Sequence, residues 1–161
     1  MLKLPDYHKS LDVLHYGCEE PRAYFIPYQD EKSAELPRSE SKYFHSLCGE
    51  WNFRFYPSIV DVEDGIYAED FNIDADYTKI KVPMNWQMDL EKDYDKPNYT
   101  NINYPFPLDA PHVPDENPCG IYIRDFEVDE NMIARDLFLN FEGVDSCFYL
   151  WINGKFVGYS Q

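Results

Sequence analysis

The feature that most constrains this sequence is a strand–turn–strand pattern near its C-terminal end. Residues 146–152 are almost entirely apolar, Asn153-Gly154 follows directly, and a second strand-like run covers residues 155–159. Asn and Gly both tolerate the positive φ angles of a type I′ turn, so this pair between two strand runs predicts a β-hairpin. Because the first run contains almost no polar residue, we expect it to be buried on both faces.

Four other segments alternate apolar and polar residues with the period of two that is typical of half-buried strands. They are residues 51–56, 77–82, 120–128 and 136–141. No segment of ten residues has clean helical periodicity, and the one helix candidate lies within residues 57–70. Strands at short spacing with turn residues between them indicate an antiparallel sandwich or barrel, and therefore an all-β fold.

Two parts of the chain lack such patterns. Residues 1–45 contain four prolines and a polar run, and we expect an extended N-terminal arm that lies on a body formed by residues 46–161. Residues 83–119 are rich in Pro, Asn, Asp and Tyr, and a stretch this long without regular structure is usually either functional or wrongly assigned. Five or six strands are fewer than the roughly seven to nine of a sandwich, so we expect an incomplete β-sandwich that is truncated at its C-terminal end.

Composition and charge exclude several classes of function. Hydrophobic residues make up 44% of the chain and aromatic residues 17%, which excludes disorder over most of its length. The net charge of −16 repels phosphate backbones and anionic membrane surfaces, so we expect neither nucleic acid nor a membrane as a partner. Without a segment of membrane-spanning length or a signal-peptide core, the sequence predicts a cytoplasmic protein.

The four cysteines give no sign of a metal site. Cys18, Cys48, Cys119 and Cys147 are widely spaced and lack metal-ligand patterns. In a chain without a secretory signal we expect reduced thiols. Cys119 and Cys147 lie in apolar, strand-like contexts, which predicts that both fill the core.

Five ordered motifs resemble those of a known family. They are residues 47–53 (LCGEWNF), 80–87 (IKVPMNWQ), 99–106 (YTNINYPF), 114–122 (PDENPCGIY) and 141–161, which ends in WINGKFVGYSQ. The sequence closely resembles the N-terminal part of the large bacterial β-galactosidases of glycoside hydrolase family 2. The resemblance covers nearly the whole chain and is strongest over residues 47–161.

This resemblance implies a jelly-roll sandwich of the galactose-binding type within a larger enzyme, whose TIM barrel carries the active site. The implied reaction is the retaining hydrolysis of terminal β-galactosides such as lactose, by two glutamates about 5.5 Å apart. Because both glutamates belong to the barrel, we expect no catalytic residue here and no activity of the chain alone. We interpret acidic neighbours such as Glu19-Glu20 as solvated surface.

The resemblance also implies two substrate contacts. In the family a loop of the N-terminal domain reaches over the barrel mouth, and this loop maps onto residues 99–106, with Asn101 touching galactose and Ile102 packing against the substrate's apolar side. An amide both donates and accepts hydrogen bonds, which suits a sugar hydroxyl. The alternative is that the loop asparagines bond their own backbone. For Trp86 and Trp151 we favour packing over a sugar-stacking role, because both lie in or beside apolar runs.

The family implies Mg²⁺ and often Na⁺ as cofactors of the full-length enzyme, with the main Mg²⁺ site on the barrel. A second Mg²⁺ site in some members uses the arm and the Gln of a V-G-Y-x-Q motif, which Gln161 matches. The arm ligands do not carry over, because residues 6–11 read DYHKSL where the family has a run like D-W-x-N-P. We therefore expect no metal site in this chain. Gln161 is the one residue that the resemblance leaves as a candidate ligand. His112 lacks a second ligand at suitable spacing.

Other functions remain open at this stage. A free-standing carbohydrate-binding module would need a complete sandwich with exposed aromatic residues on a concave face. A purely structural piece would act through its strand edges, which can pair with other chains. A β-glucuronidase-like relative is the alternative substrate class. The partners we expect are a galactoside, the remaining domains of the enzyme and a second copy in a homo-oligomer.

Overall fold

In the computed structural model, which describes residues 3–161, the chain forms two three-stranded antiparallel sheets. The strands are β1 (His15–Tyr16), β2 (Gly49–Tyr56), β3 (Thr78–Val82), β4 (Cys119–Ile123), β5 (Phe148–Ile152) and β6 (Lys155–Ser160). One sheet has the order β3-β2-β4 and the other the order β1-β6-β5. The predicted all-β sandwich is confirmed.

Helices are short throughout the described residues. The single α-helix among them, α1 (Glu130–Ile133), is one turn long, and the Asp129 carboxylate caps it by accepting from two backbone amides. Isolated 3₁₀ turns cover Asp6–Lys9, Ser33–Glu35, Arg38–Glu40, Ile59–Asp61 and Trp86–Met88. No helix in the part of the chain that the structure describes has the length and apolar character needed to cross a bilayer.

The β3-β2-β4 sheet has an aromatic face. β2 pairs with β3 from Gly49↔Val82 to Phe53↔Thr78 and with β4 from Asn52↔Ile123 to Tyr56↔Cys119. The alternation of residues 51–56 places the Phe53 ring between those of Tyr122 and Tyr94, at centroid distances of 4.7 and 5.3 Å. Phe53 is fully buried, so this face forms one part of the core, and Tyr159 of β6 is fully buried in the other sheet.

The second part of the core lies around Tyr56. Tyr56, Val62 and Ile66 form a buried cluster, against which Tyr67 and other half-buried residues pack. The Tyr67 ring also stacks on the Trp151 ring of β5 at 5.3 Å. The segment that follows β2 therefore links the two sheets.

The β1-β6-β5 sheet contains the predicted hairpin. β5 and β6 pair from Phe148↔Ser160 to Ile152↔Lys155, and the turn between them has φ angles of 47° at Asn153 and 73° at Gly154. These positive values are those of a type I′ turn, so the hairpin prediction is confirmed.

The N-terminal arm contributes a strand of its own. β1 pairs with β6 through His15↔Ser160 and Tyr16↔Tyr159. The Tyr149 hydroxyl donates to the Pro5 carbonyl at 2.8 Å and accepts from the His8 backbone amide at 3.1 Å. The division into an arm of residues 1–45 and a body of residues 46–161 stays a prediction, and residues 1 and 2 of that arm lie outside the described residues.

A second fastening of the arm is ionic. The Arg38 guanidinium pairs with the Glu142 carboxylate, which also accepts a hydrogen bond from the Tyr24 hydroxyl. Both partners of the ion pair are about half exposed, at 45% and 51%. We call Arg38, Glu142 and Tyr24 the arm clasp.

Three strand predictions need correction. Residues 136–141 form no strand and pair with none among the described residues, and Phe138 is 59% exposed. An alternating pattern alone is not sufficient, because a strand also needs a neighbouring strand to pair with. β4 ends at Ile123, not at residue 128, and the residues of β5 are half-buried and not buried on both faces.

The cysteine predictions are partly right. All four thiols are free, and Cys119 is half-buried beside the Tyr56 cluster. Cys147 is exposed, so the prediction that it fills the core is wrong. It lies just before β5, where the apolar run has not yet entered the sheet.

Candidate functional site

The loop at residues 99–106 presents the two predicted substrate contacts at its tip. The backbone amides of Ile102 and Asn103 both donate to the Tyr99 carbonyl, at 3.0 and 3.1 Å, which closes a tight turn. Asn101 is exposed and Ile102 is 72% exposed. Among the described residues, no group hydrogen-bonds to the Asn101 side chain. The loop backbone therefore makes its own turn, and the Asn101 amide is available to a ligand.

Several large apolar side chains of residues 83–119 are exposed. Tyr99, Tyr104 and Leu108 are 71%, 59% and 92% exposed, and Leu90 is 88% exposed. The irregular segment thus combines the polar tip of the loop with exposed apolar side chains.

The two tryptophans pack as we expected. The Trp86 ring lies 5.9 Å from that of Phe53, and a Cβ atom added at Gly120 would be 2.5 Å from the Trp86 ring. Trp151 stacks between Tyr67 and Tyr149. Both tryptophan rings are half-buried, and Gly120 is needed for the close approach of Trp86.

A cavity of about 370 Å³ lies between the arm and the loop that follows Asn101. His8 and Ser10 line it from the arm, Tyr104 and His112 from the loop, and Gln161 from the residue after β6. The Gln161 backbone amide donates to the Leu14 carbonyl at 3.1 Å. Its side-chain oxygen accepts from the Tyr159 hydroxyl at 2.9 Å.

The surroundings of Gln161 do not fit Mg²⁺. This ion is usually bound through one or two carboxylates, and no carboxylate is among the described residues that line the cavity. Across residues 3–161 the structure brings no three His, Cys, Asp or Glu side chains together in a way that would hold a metal. We therefore derive no step through a metal at Gln161.

An ionic network around Arg54 escaped the sequence analysis. Its guanidinium contacts the carboxylates of Glu63 at 3.2 Å and Asp76 at 3.0 Å. The Tyr56 hydroxyl donates to Glu63 at 2.6 Å, and this bond lowers the pKa of the Glu63 carboxyl. Burial, followed by the same bond, raises the pKa of the Tyr56 hydroxyl. Glu63 and Asp76 therefore form ion pairs that neutralise the charge of Arg54.

Comparison with known proteins agrees with this structure. The family model for the sugar-binding domain of the family 2 glycosyl hydrolases matches residues 44–161. β-Galactosidase of Actinobacillus pleuropneumoniae is 42% identical over 159 residues, which are 98% of this chain and 15% of that relative. β-Galactosidase of Staphylococcus xylosus is 39% identical over 163 residues, with 100% of this chain and 15% of the relative covered.

A third relative, β-galactosidase of Vibrio cholerae, is 37% identical over 149 residues, which are 92% of this chain and 14% of that protein. The chain thus spans about 15% of the length of the curated relatives it matches. The family match covers every residue from β2 to β6 and includes the loop that carries Asn101. On this sequence and structural basis, the chain belongs to glycoside hydrolase family 2.

Proposed function

We propose that this chain is the N-terminal, non-catalytic sugar-binding domain of a β-galactosidase. The observation that carries the proposal is its alignment, over 98% of its length, with about the first seventh of a protein named β-galactosidase. The rest of such an enzyme would hydrolyse terminal β-D-galactosides such as lactose by the retaining two-glutamate mechanism. Mg²⁺ and Na⁺, a cytoplasmic location and a homo-oligomeric state belong to the same proposal for that whole enzyme.

Within this proposal the loop at residues 99–106 contributes to substrate binding. The Asn101 amide would pair with a galactose hydroxyl, since it can both donate and accept a hydrogen bond. Ile102, which is 72% exposed, would pack against the apolar side of the sugar. The tight turn around Tyr99 supports this role, because a loop that is already ordered loses less entropy on binding.

The exposed apolar side chains of residues 83–119 would contact the remaining domains of the enzyme. Leu108 and Leu90 are 92% and 88% exposed. Removing such apolar side chains from water stabilises the contact with a neighbouring domain that covers them. The proposed partners of the chain are therefore those domains and the galactoside.

The test of the substrate contact is Asn101→Ala in the intact enzyme. Loss of a hydrogen bond at a desolvated site should reduce kcat/KM by the equivalent of about 1–3 kcal/mol. The matched control is Asn98→Ala, an exposed asparagine outside the turn, which should leave kcat/KM unchanged. An unaltered kcat/KM for Asn101→Ala would contradict the contact.

The absence of catalysis in the chain itself has a separate test. The purified 161-residue chain should release no chromophore from a chromogenic β-galactoside above a mock purification, because the proposal puts both catalytic carboxylates elsewhere in the enzyme. Measurable hydrolysis by the pure chain would overturn this part of the proposal, but it would leave the Asn101 contact open to its own test.

A further inference from the structure

The cavity between the arm and the loop has polar groups with defined hydrogen-bonding roles. The Tyr149 hydroxyl contacts three groups, which are the Pro5 carbonyl at 2.8 Å, the His8 backbone amide at 3.1 Å and His8 Nδ1 at 2.7 Å. A phenol has one proton, and the carbonyl can only accept it. All three contacts are hydrogen bonds together only when His8 Nδ1 carries a proton and donates.

This proton count leaves His8 Nε2 as the atom that can meet a ligand. In a neutral imidazole with a protonated Nδ1, Nε2 carries a lone pair and accepts hydrogen bonds. Burial lowers the pKa of His8, with a smaller contribution in the same direction from Lys9, which favours the neutral ring. His8 therefore supplies an acceptor to the cavity that it lines.

Two other lining residues supply donors. The Ser10 hydroxyl oxygen accepts from the Asp12 backbone amide at 3.2 Å, so its own proton is available. The Gln161 side-chain oxygen accepts from Tyr159, so its two amide protons are available. The cavity thus presents one acceptor, His8 Nε2, and two donor groups, the Ser10 hydroxyl and the Gln161 amide.

The side chains that line the cavity carry no formal charge and include aromatic surface. No Asp, Glu, Lys or Arg is among the described residues that line the cavity, whereas Tyr104, Phe106 and Leu11 are. A carboxylate or phosphate would find no cationic side chain there, and a metal ion would find no side-chain carboxylate. A neutral ligand with several hydroxyl groups and an apolar face matches both kinds of wall.

We propose that this cavity is a binding site for a single neutral pyranose ring. Its volume of about 370 Å³ is near the lower end of ordinary ligand pockets, which is enough for one ring. His8 Nε2 accepts from one sugar hydroxyl, and Ser10 and Gln161 donate to others. The aromatic side of Tyr104 or Phe106 contacts the C–H face of the ring. The site does not depend on Asn101 and goes beyond the proposed role of the loop.

The test is a titration of the 161-residue chain, labelled with ¹⁵N, with methyl β-D-galactopyranoside and methyl β-D-glucopyranoside. Before addition, the imidazole resonances of His8 should show the tautomer with a protonated Nδ1. During addition, the Nε2 resonance should shift as it accepts a hydrogen bond, with a Kd on the order of 1–10 mM. D-Galacturonate should bind several-fold more weakly, because its carboxylate finds no cation.

Two variants and two controls locate the site. Gln161→Leu and Ser10→Ala each remove a donor with little change of volume, and each should weaken binding about five- to tenfold. His45→Ala, an exposed histidine that does not line the cavity, should have no effect. Asn98→Ala, at an exposed asparagine that does not line the cavity, should also leave this titration unchanged. The substrate contact keeps its own readout, kcat/KM of Asn101→Ala in the intact enzyme, so failure here is distinct from failure there.

Three results would overturn the proposal. The first is a His8 ring that is not held with a protonated Nδ1. The second is a His8 Nε2 resonance that stays in place at about 100 mM sugar, tenfold above the weakest expected Kd. The third is equal binding by the chain and by Gln161→Leu and Ser10→Ala.

Discussion

The two sheets of this molecule are stabilised in different ways. The β3-β2-β4 sheet takes its strands from residues 49–123 and buries Phe53 completely within a group of aromatic rings. The β1-β6-β5 sheet joins a tight hairpin to a two-residue strand of the arm, and its outer pair, His15↔Ser160, is 145 residues apart in the chain. Both sheets bury an aromatic ring, Phe53 in the first and Tyr159 in the second. They differ at the arm, because β1 joins the second sheet through two residue pairs that close a long loop.

This difference has a consequence for stability. Burial of an aromatic side chain contributes several kcal/mol, whereas a net hydrogen bond contributes about 1 kcal/mol. Regions with few buried apolar contacts open at lower free energy than the core. We expect β1 and the arm to detach while the β3-β2-β4 sheet stays folded.

The largest effect should come from Phe53→Ala. The substitution removes a ring whose centroid lies 4.7 Å from that of Tyr122 and 5.3 Å from that of Tyr94. It leaves a cavity in the β3-β2-β4 sheet. The free energy of unfolding in urea should fall by about 3–5 kcal/mol. Phe25→Ala, at a ring that is 76% exposed, is the matched control and should change it by less than about 0.5 kcal/mol. A loss below about 1 kcal/mol for Phe53→Ala would mean that packing does not dominate this sheet.

An intermediate effect should come from Tyr149→Phe, which tests the arm. It removes the hydroxyl that contacts Pro5 and His8 and keeps the ring. We expect a loss of about 1–3 kcal/mol, seen in hydrogen exchange as faster exchange at β1 and the turn before it, with β2 unchanged. Tyr104→Phe is the control, because that ring is 59% exposed. Equal exchange at β1 in the variant and the parent chain would argue against polar fastening of the arm.

The sequence predicts β2 and the hairpin but not β1, because only the first two have signals that are local in the chain. β2 and the hairpin carry their signals within ten residues, as alternation at residues 51–56 and as the turn at Asn153-Gly154. β1 has only two residues, and its pairing partner lies at the far end of the chain, so no local pattern predicts it. Residues 136–141 show the converse, since they have the alternation but not the neighbouring strand.

The two candidate sites also differ in how far the sequence predicts them. Asn101 and Ile102 are predicted from the resemblance of residues 99–106 to a family motif, which is read within eight consecutive residues. The cavity at His8 could not be predicted, because it brings together residues 8, 104–113 and 161. Its key feature, a histidine with one fixed nitrogen, depends on the Tyr149 hydroxyl, which is 141 residues away in the sequence.

The smallest effect should come from Glu142→Gln, which sharpens the comparison at the arm clasp. Hydrogen bonds from Arg38 and then Tyr24 lower the pKa of the Glu142 carboxyl from 4.5 to about 2. Because the folded state binds its proton less readily than the unfolded state, the clasp stabilises the fold fully above pH 4.5, and its contribution is lost as the pH falls through about 2. Both side chains are half exposed, so water and salt screen the pair.

The measurement is the difference in urea midpoint between the parent chain and Glu142→Gln. The difference should be small at neutral pH and low salt, and it should shrink both in about 1 M salt and as the pH falls below 4.5. Glu19→Gln, at an exposed carboxylate without an ion pair in the described part of the chain, should show neither trend. A larger loss for Glu142→Gln than for Tyr149→Phe would reverse the order proposed here. The arm would then be fastened chiefly by charge at residue 142, and its detachment would depend on salt more than on the hydroxyl of Tyr149.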